Sequence, residues 1–284
     1  MTTHNTDTGA TAAGTPEFTV AMGPAVEPGR RGKRSSRAKR RAGAGDLIPY
    51  HGSRDTANSR RCGLAALTMV LESLGKPTTR RALWQAIARN DLRGRPAART
   101  FLLAQSALHH GLAAVVVQAR DPWRTLRRCA AAQVRVIVNH RVHAKSPWGH
   151  YSVLVHVDEA YAVLHDPEVA PNRRVERGEM LRLWAPVGPV CEIAGHTLVA
   201  VEPRRRGPSP ACEACGTLIP GAIPCPACRR PVPLRPADAL GCIEETCGER
   251  LWESVYCPYC DARIEQVTAA AGAGVLQPLL GRRA

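Results

Sequence analysis

The sequence lacks any run of 18 apolar residues and has few aromatic side chains, which make up 4% of the chain. A membrane-spanning helix needs about 20 consecutive apolar residues, so the chain is predicted not to cross a membrane. The N-terminus is not followed by an apolar segment typical of secretory signal peptides. Because such a segment would be needed to reach an oxidising compartment, we expect a cytoplasmic protein whose cysteines are not joined in disulfides.

Acidic side chains are also absent from residues 28–45, a stretch that contains eight lysines and arginines. The residues before it are mostly Thr, Ala, Gly and Pro, which cannot bury a core. We therefore predict that residues 1–45 form a disordered basic tail. A basic run can bind nucleic acid, but a solvated tail is the preferred interpretation. The Ala- and Gly-rich residues 266–284 are predicted to form a flexible C-terminus.

Eight of the eleven cysteines lie in the last quarter of the chain, in two sets with similar spacing. Each set has two cysteines on one tight turn and two more on a second turn, nine residues later. Four thiolates can surround one tetrahedral zinc and leave no position for water, so we predict two structural Zn²⁺ ions. In sequence order, the two sets are Cys212, Cys215, Cys225 and Cys228, then Cys242, Cys247, Cys257 and Cys260. One alternative pairs the first turn with the third and the second with the fourth; another is a set of disulfides.

The segment 212–265, which follows a linker at residues 203–211, resembles a double zinc ribbon. It has few large apolar side chains, and about 10 kcal/mol per bound zinc would supply its folding free energy. Its second half carries six carboxylates against two arginines, which favours a protein partner over nucleic acid. Trp252, Tyr256 and Tyr259 are predicted either to form a contact patch or, as the simpler alternative, to cover the metal site.

Residues 46–202 carry the periodicity of one α+β core. Helices are predicted at residues 62–74, 79–89, 97–110, 122–131 and 177–184. Strands are predicted at residues 113–118, 134–138, 151–157, 161–164 and 197–201. Because helices come first and strands follow, we expect an antiparallel sheet packed on an N-terminal helix.

Cys62 opens the first predicted helix, where the helix dipole and free amides favour a thiolate. A nucleophilic thiolate needs an imidazole from elsewhere in the chain. His150 begins a predicted strand, and Asp166 ends the next one, where it can orient that imidazole. His156 and His165 are alternatives for the base. Cys129 and Cys191 are predicted core residues. Trp148 and Trp184 are predicted to pack in the core, with the cleft as an alternative for Trp148.

Three motifs, CGLAALTMVL, GHYSVLVHVDEAYAVLHDP and a helix that ends in Trp184, resemble the papain-like cysteine peptidases of the bacteriocin-processing (double-glycine leader) type. The resemblance implies Cys62 as the nucleophile, His150 as the general base and acid, and Asp166 as the residue that holds the imidazole tautomer. Family members carry a Gln about six residues before the nucleophile to bind the oxyanion. Here Thr56 occupies that position and Asn58 is the nearest carboxamide, so these two are the oxyanion candidates.

The leading hypothesis is therefore a cysteine peptidase that acts on a protein or peptide, with zinc ribbons that recruit the substrate or a protein partner. The alternative is a catalytically weak or inactive papain-fold adaptor, because loss of one oxyanion donor costs about 10²-fold to 10³-fold in rate. Binding of nucleic acid through the basic tail is a less favoured third hypothesis.

Overall fold

The computed structural model of the chain describes residues 48–52, 60–91, 94–188, 191–205 and 207–266. These residues belong to one structural unit, Ala42–Ala284. The predicted basic tail at residues 1–45 and the oxyanion candidates Thr56 and Asn58 lie outside the described residues, as do residues 267–284. In the described ranges, no helix combines the length and the hydropathy that a membrane crossing requires.

The helices form close to where the sequence predicts them. Thr79 caps the second helix by accepting a hydrogen bond from the amide of Ala82, and Asp121 caps the fourth in the same way. The first helix is buried on nearly every side because its sequence is almost wholly apolar. Within the described residues the helices are α1 (Cys62–Ser73), α2 (Arg80–Ile87), α3 (Thr100–His109), α4 (Pro122–Ala131) and α5 (Arg177–Trp184).

Most of the strands belong to one antiparallel sheet of eight strands, in the order β12-β11-β3-β8-β4-β5-β6-β7. The short pairs β1–β2 and β9–β10 form two further hairpins. The strands of the described residues are β1 (Ala88–Asn90), β2 (Pro96–Ala98), β3 (Leu112–Ala119), β4 (Arg135–Arg141), β5 (Gly149–Val157), β6 (Tyr161–Asp166), β7 (Ala170–Glu176), β8 (Thr197–Pro203), β9 (Ala222–Pro224), β10 (Pro231–Pro233), β11 (Trp252–Tyr256) and β12 (Arg263–Ile264). This architecture confirms the predicted α+β class.

Several elements differ from the sequence prediction, among them the start of α3 and strand β7. The helix predicted from residue 97 begins at Thr100, because Pro96–Ala98 pairs with Ala88–Asn90 as a strand. Strand β7 was not predicted, since its residues are largely polar and exposed and lack a clear alternation. It forms the edge of the sheet next to β6, where its backbone pairs on one side only.

The sheet buries a hydrophobic cluster on each face, as the two-residue repeat of a strand requires. Val116, Ile137 and Val153 face the cluster that includes α1, α2 and α3. Val115 and Val138 face the second cluster, which includes residues of α4 and α5. The sheet therefore holds α1, with Cys62 at its first position, directly against the strand that carries His150.

The cysteine-rich segment continues the same sheet. Strand β11 pairs antiparallel with β3, with Val255 opposite Val117. Trp252 is completely buried in the cluster of α4 and α5. Glu249 also forms an ion pair of 2.6 Å with Arg124 on α4. Apolar side chains of this segment are thus buried against the core as well as around the cysteines, and the predicted domain boundaries stay predictions.

Candidate active site

Cys62 is the first residue of α1 and is 5% exposed. The first amides of a helix have no intrahelical acceptor, so the Sγ of Cys62 lies where an anion is favoured. Gly63 follows because no side chain fits there: a Cβ would lie 2.5 Å from the Cβ of Ala98 and 3.1 Å from the ring of Tyr151. The α1 backbone can therefore approach β2 and β5 closely at the position next to the thiol.

His150 and Asp166 lie on neighbouring strands, near the start of β5 and at the end of β6. The Nε2 of His150 donates to the Oδ1 of Asp166 at 2.7 Å, and both side chains are at most 1% exposed. The Nη1 of Arg173 donates to the Oδ2 of the same carboxylate at 2.8 Å. The carboxylate thus has charged or polar donors at both oxygens, which fixes its position.

The other ring nitrogen of His150, Nδ1, is turned toward Cys62 and Glu168. Among the described residues Nδ1 has no hydrogen-bond partner, although it is buried. The Oε1 of Glu168 lies 3.8 Å from it. The Sγ of Cys62, a ring nitrogen of His150 and a carboxylate oxygen of Glu168 all lie within 4.8 Å of one another. The structure therefore places the predicted thiol near one side of the predicted imidazole and the predicted carboxylate, Asp166, at the other. Glu168 is an additional carboxylate that was not predicted.

Electrostatics in this cluster favour a charged imidazole. Burial opposes a charge on His150, but the charge of Cys62 and the hydrogen bond to Asp166 outweigh burial and raise the pKa of His150 to about 10. Burial would raise the pKa of Asp166, but its hydrogen bonds to His150 and Arg173 hold that pKa far below its usual range. Asp166 is therefore ionised, and the arrangement suits a thiolate–imidazolium pair.

A second buried histidine, His140, supports the ring of His150, and the sequence analysis did not single it out. The two rings meet edge to face with centroids 5.2 Å apart, because the residues stand opposite each other on β4 and β5. The Nδ1 of His140 donates to the carbonyl of Arg141 at 2.8 Å, and its Nε2 accepts from the Oγ of Ser152 at 2.9 Å. Burial and then the charge of His150 lower the pKa of His140 to about 3, so this ring is neutral. The sequence alone gives no signal for this role, because it depends on the register of β4 and β5.

The two alternative histidines are engaged elsewhere. His165 donates to the carbonyl of Ile48 through Nε2 and accepts from the amide of Asn172 at Nδ1. His156 is exposed, because an irregularity in the β5–β6 pairing between Leu154 and His156 breaks the alternation of the strand. These surroundings favour His150 among the three.

A cavity of about 730 Å³ opens beside Cys62. Trp148 lines it, with the guanidinium of Arg60 5.5 Å from the centre of its ring. Tyr256 and Asp261 from the cysteine-rich segment also line it. The cleft next to the thiol is therefore built from both parts of the chain, and this contribution was not predicted from the sequence.

Asn139 supplies a polar group at the same cavity. Its Nδ2 donates to the Oγ1 of Thr100 at 3.1 Å, and that hydroxyl is also 2.8 Å from the hydroxyl of Tyr151. Asn139 is 7% exposed, and its Oδ1 has no hydrogen-bond partner among the described residues. A bound peptide N–H can satisfy this acceptor.

Of the other residues that were predicted to pack in the core, some are buried there and others line the cavity. Cys129 and Trp184 are completely buried, and the indole of Trp184 donates to the carbonyl of Thr197. Cys191 is half-buried and lines the cavity beside Cys62 instead of the core. Trp148 also lies at the cavity, which agrees with the alternative for that residue.

The eight clustered cysteines form two groups of four, and the predicted pairing in sequence order is wrong. Each tight turn is the tip of its own hairpin; β9 and β10, for example, place Cys225 and Cys228 at one end of a hairpin, away from Cys212. Turns that are consecutive in sequence therefore do not meet. The groups are Cys212, Cys215, Cys242 and Cys247, and Cys225, Cys228, Cys257 and Cys260. This is the alternative pairing, first turn with third and second with fourth.

The sulfur geometry of both groups suits a tetrahedral metal ion. Two sulfur pairs are 3.6 and 3.8 Å apart in the first group, and two are 3.6 and 3.7 Å apart in the second. Zn–S bonds of about 2.3 Å in a tetrahedron place sulfurs about 3.8 Å apart. All eleven cysteines lie in described residues and none forms a disulfide. The two groups can therefore hold metal ions.

The aromatic residues of this segment do not form one exposed patch. The Nε1 of Trp252 donates to the carbonyl of Cys242 at 2.8 Å, so this residue covers a metal group from the inside. The hydroxyl of Tyr256 donates to the Oε1 of Gln118 at 3.2 Å, at the side of the cleft. Tyr259 is half-buried, with Arg230 beside its ring. Trp252 thus agrees with the simpler prediction.

Comparisons with known proteins bear on the same part of the chain. No curated protein matches the sequence. One similar solved structure is the peptidase domain of Streptococcus ComA, a bifunctional ABC transporter involved in a quorum-sensing pathway. It aligns with a TM-score of 0.42 and 16% sequence identity, and the alignment covers 56% of this chain and 100% of that one. A second is a double glycine motif protease from an AMS/PCAT transporter, in complex with the leader peptide. It gives a TM-score of 0.40 at 17% sequence identity, over 56% of this chain and 94% of that one. A C39-like peptidase from Bacillus anthracis gives a TM-score of 0.46 at 14% sequence identity, over 57% of this chain and 97% of that one.

The family comparison matches a defined stretch of sequence. The model of the Peptidase C39 family matches residues 54–192, just under half of the chain. The matched stretch contains Cys62, His150 and Asp166, and it ends before the cysteine-rich segment. Residues 54–192 therefore belong to the Peptidase C39 family, which is a family of cysteine peptidases.

Proposed function

We propose that the protein hydrolyses peptide bonds in a peptide or protein substrate through a Cys62–His150–Asp166 triad. The observation that carries the proposal is the buried hydrogen bond of 2.7 Å from His150 to Asp166, with the other ring nitrogen turned toward the thiol at the start of α1. These positions match the roles of nucleophile, base and orienting carboxylate.

The reaction follows from these groups. The Cys62 thiolate attacks the scissile carbonyl carbon, and a C–S bond forms while the carbonyl oxygen becomes an oxyanion. The His150 imidazolium then gives its proton to the leaving amine as the C–N bond breaks, which leaves a thioester. Water attacks the thioester, His150 takes its proton, and the acid product leaves as the thiolate is restored. Asp166 keeps the ring oriented and stabilises its charged form.

The oxyanion needs donors near the start of α1. Free amides of the first helical turn are suited to this role, because they have no acceptor within the helix. Thr56 and Asn58 stay predictions for the second donor. A slow enzyme is the consequence if neither residue reaches the oxyanion.

The substrate proposal depends on the cavity beside Cys62. Its lining combines the aromatic ring of Trp148 with the unsatisfied Oδ1 of Asn139, a pairing that suits an extended peptide with a free N–H. The residues of the cysteine-rich segment at the cleft support a direct role for this segment in holding the substrate. Recruitment of a separate protein partner and a cytoplasmic location stay predictions.

We further propose that each group of four cysteines holds one Zn²⁺. Four thiolates at tetrahedral spacing leave no site for water, so these ions would have a structural role. When bound, zinc supplies folding free energy that the short hairpins around the cysteines lack.

Incubation of the purified protein with a diverse peptide library, followed by mass spectrometry of the products, tests the peptidase proposal. We expect cleavage by the wild-type protein and none by Cys62→Ala, with thermal unfolding and the zinc held by the two groups of four cysteines unchanged in the variant. Cleavage that persists in Cys62→Ala would refute the assignment.

An adaptor that binds peptides without cleaving them is the second candidate, and the missing Gln before Cys62 favours it. The same peptides distinguish the two functions. An adaptor would retain peptides on the wild-type protein without products, and Cys62→Ala would retain them equally well.

A further inference from the structure

Glu168 stands where neither the triad nor the fold requires a carboxylate. It follows Asp166 by two residues, and its amide donates to the Oδ1 of Asp166 at 3.1 Å. This hydrogen bond places the Glu168 side chain on the open side of His150, with Oε1 3.8 Å from Nδ1. Its side chain is 35% exposed, so the carboxylate lies between the buried ring and solvent.

We propose that Cys62, His150 and Glu168 form a third metal site, which can hold Zn²⁺ and switches the thiol off. A thiolate, an imidazole and a carboxylate are all ligands of zinc in proteins. The three ligand atoms lie within 4.8 Å of one another, and the buried Nδ1 of His150 has no hydrogen-bond partner among the described residues. Bound zinc at about 2.0–2.3 Å from each atom requires only small movements of the Glu168 and Cys62 side chains.

The neighbours of His150 provide the supporting hydrogen bond that a metal-binding histidine usually makes. Metal-binding histidines usually donate their second ring N–H to a carboxylate, which orients the ring and makes it a better ligand. Asp166 accepts this hydrogen bond at 2.7 Å. Cys62 lines the open cavity, so an ion can reach its sulfur. Three protein ligands leave the fourth position of the tetrahedron to water.

Zinc bound at this site would have a different effect from zinc bound by the two groups of four cysteines. Zinc would displace the Nδ1 proton of His150 into solvent and occupy the electron pair with which the Cys62 thiolate attacks. Zinc would therefore support the fold at the cysteine groups and block the thiol here. The inhibitory consequence rests on the proposed peptidase function, whereas metal binding itself does not.

Zinc content at buffered micromolar free zinc tests the site without any substrate. We expect three zinc ions per wild-type chain and two in Cys62→Ala. Glu168→Gln should raise the free zinc needed to fill the third site by about 10-fold or more, since even outer partners of a metal site contribute that much. Glu159→Gln is the matched control, because Glu159 lies at the other end of β5 and pairs with exposed Arg127.

Alkylation of Cys62 by iodoacetamide, followed by mass spectrometry, gives a second readout. Added zinc should protect Cys62 in the wild-type protein and in Glu159→Gln, and protect it at least about 10-fold less in Glu168→Gln. Two zinc ions in the wild-type chain, or equal protection in Glu168→Gln and Glu159→Gln, would overturn the proposal. Both measurements still test the metal site if the protein cleaves no peptide. Failure of the metal site can therefore be distinguished from failure of the proposed peptidase function.

Discussion

At the scale of single residues, the site depends on a buried imidazole held between the Cys62 thiol and the Asp166 carboxylate. The pKa of His150 lies well above its usual value of 6.5 because Cys62 and Asp166 outweigh the cost of burial. A raised pKa means that the charged ring stabilises the fold fully below pH 6.5 and that this contribution is lost as the pH rises toward about 10. Motif order allowed Cys62, His150 and Asp166 to be named as candidates. The positions of His140 and Glu168 could not be predicted, because the first depends on strand register and the second on a turn.

Asp166→Asn should lower kcat/KM by about 10²-fold to 10⁴-fold, because an amide neither fixes the required tautomer nor stabilises the imidazolium. The wild-type kcat/KM should decline as the pH approaches about 10, where His150 loses its proton. In the variant this decline should begin at lower pH. Initial rates over a pH series measure both effects, and an unshifted decline in Asp166→Asn would contradict the role given to the carboxylate.

His140→Phe should lower the free energy of unfolding by about 1–3 kcal/mol, because the buried hydroxyl of Ser152 and the carbonyl of Arg141 lose their partners. Urea denaturation measures the change. Ser152→Ala added to His140→Phe should cost less than the sum of the two single changes, since it removes the stranded hydroxyl. Strict additivity would show that the two side chains do not interact.

At the scale of elements, close packing of α1 on the sheet determines where the thiol lies. Hydrophobic periodicity predicted the helices well, and in the structure Asp121 caps α4 with Pro122 in its first turn. The start of α3 was misplaced because the pairing of Ala88–Asn90 with Pro96–Ala98 is a tertiary contact that local pattern does not reveal. Edge strand β7 was not predicted because its largely polar and exposed residues lack a clear alternation.

Gly63→Ala should lower the free energy of unfolding by about 1–3 kcal/mol and reduce activity, because the new Cβ would meet Ala98 at 2.5 Å and force α1 away from β2. Gly178→Ala in α5 is the matched control. Its nearest neighbour would be 3.7 Å away, and alanine favours a helix, so this variant should be neutral or about 0.4–1 kcal/mol more stable. Equal destabilisation of the two variants would argue against close packing at Gly63.

At the scale of the whole molecule, the cysteine-rich segment and the peptidase core share one sheet and one cleft. The spacing of the cysteines predicted two groups of four, but not their membership, because spacing does not show which hairpins meet in space. Six carboxylates suggested a free surface for a partner, whereas one of them, Glu249, is bound to Arg124 of the core. The ion pair of Glu249 with the core therefore differs from the partner-binding role that the charge composition suggested for this residue.

Zinc content of paired variants tests the observed membership. Cys212→Ser with Cys247→Ser should lose one structural zinc, because both residues belong to one group. Cys212→Ser with Cys225→Ser should lose two, because these residues belong to different groups. Pairing in sequence order predicts the opposite for both double variants, so metal analysis of the purified proteins separates the two arrangements.

Alkylation of Cys62 at pH 6 is the most direct test of the central claim that this thiol and His150 form a reactive pair. The rate is measured without free zinc, on wild-type protein and on His150→Ala that each hold two zinc ions, with the modified residue identified by mass spectrometry. We predict that Cys62 of the wild-type protein reacts at least about 10-fold faster, because the imidazolium maintains the thiolate. Equal rates in two proteins with the same zinc content and fold would contradict the account.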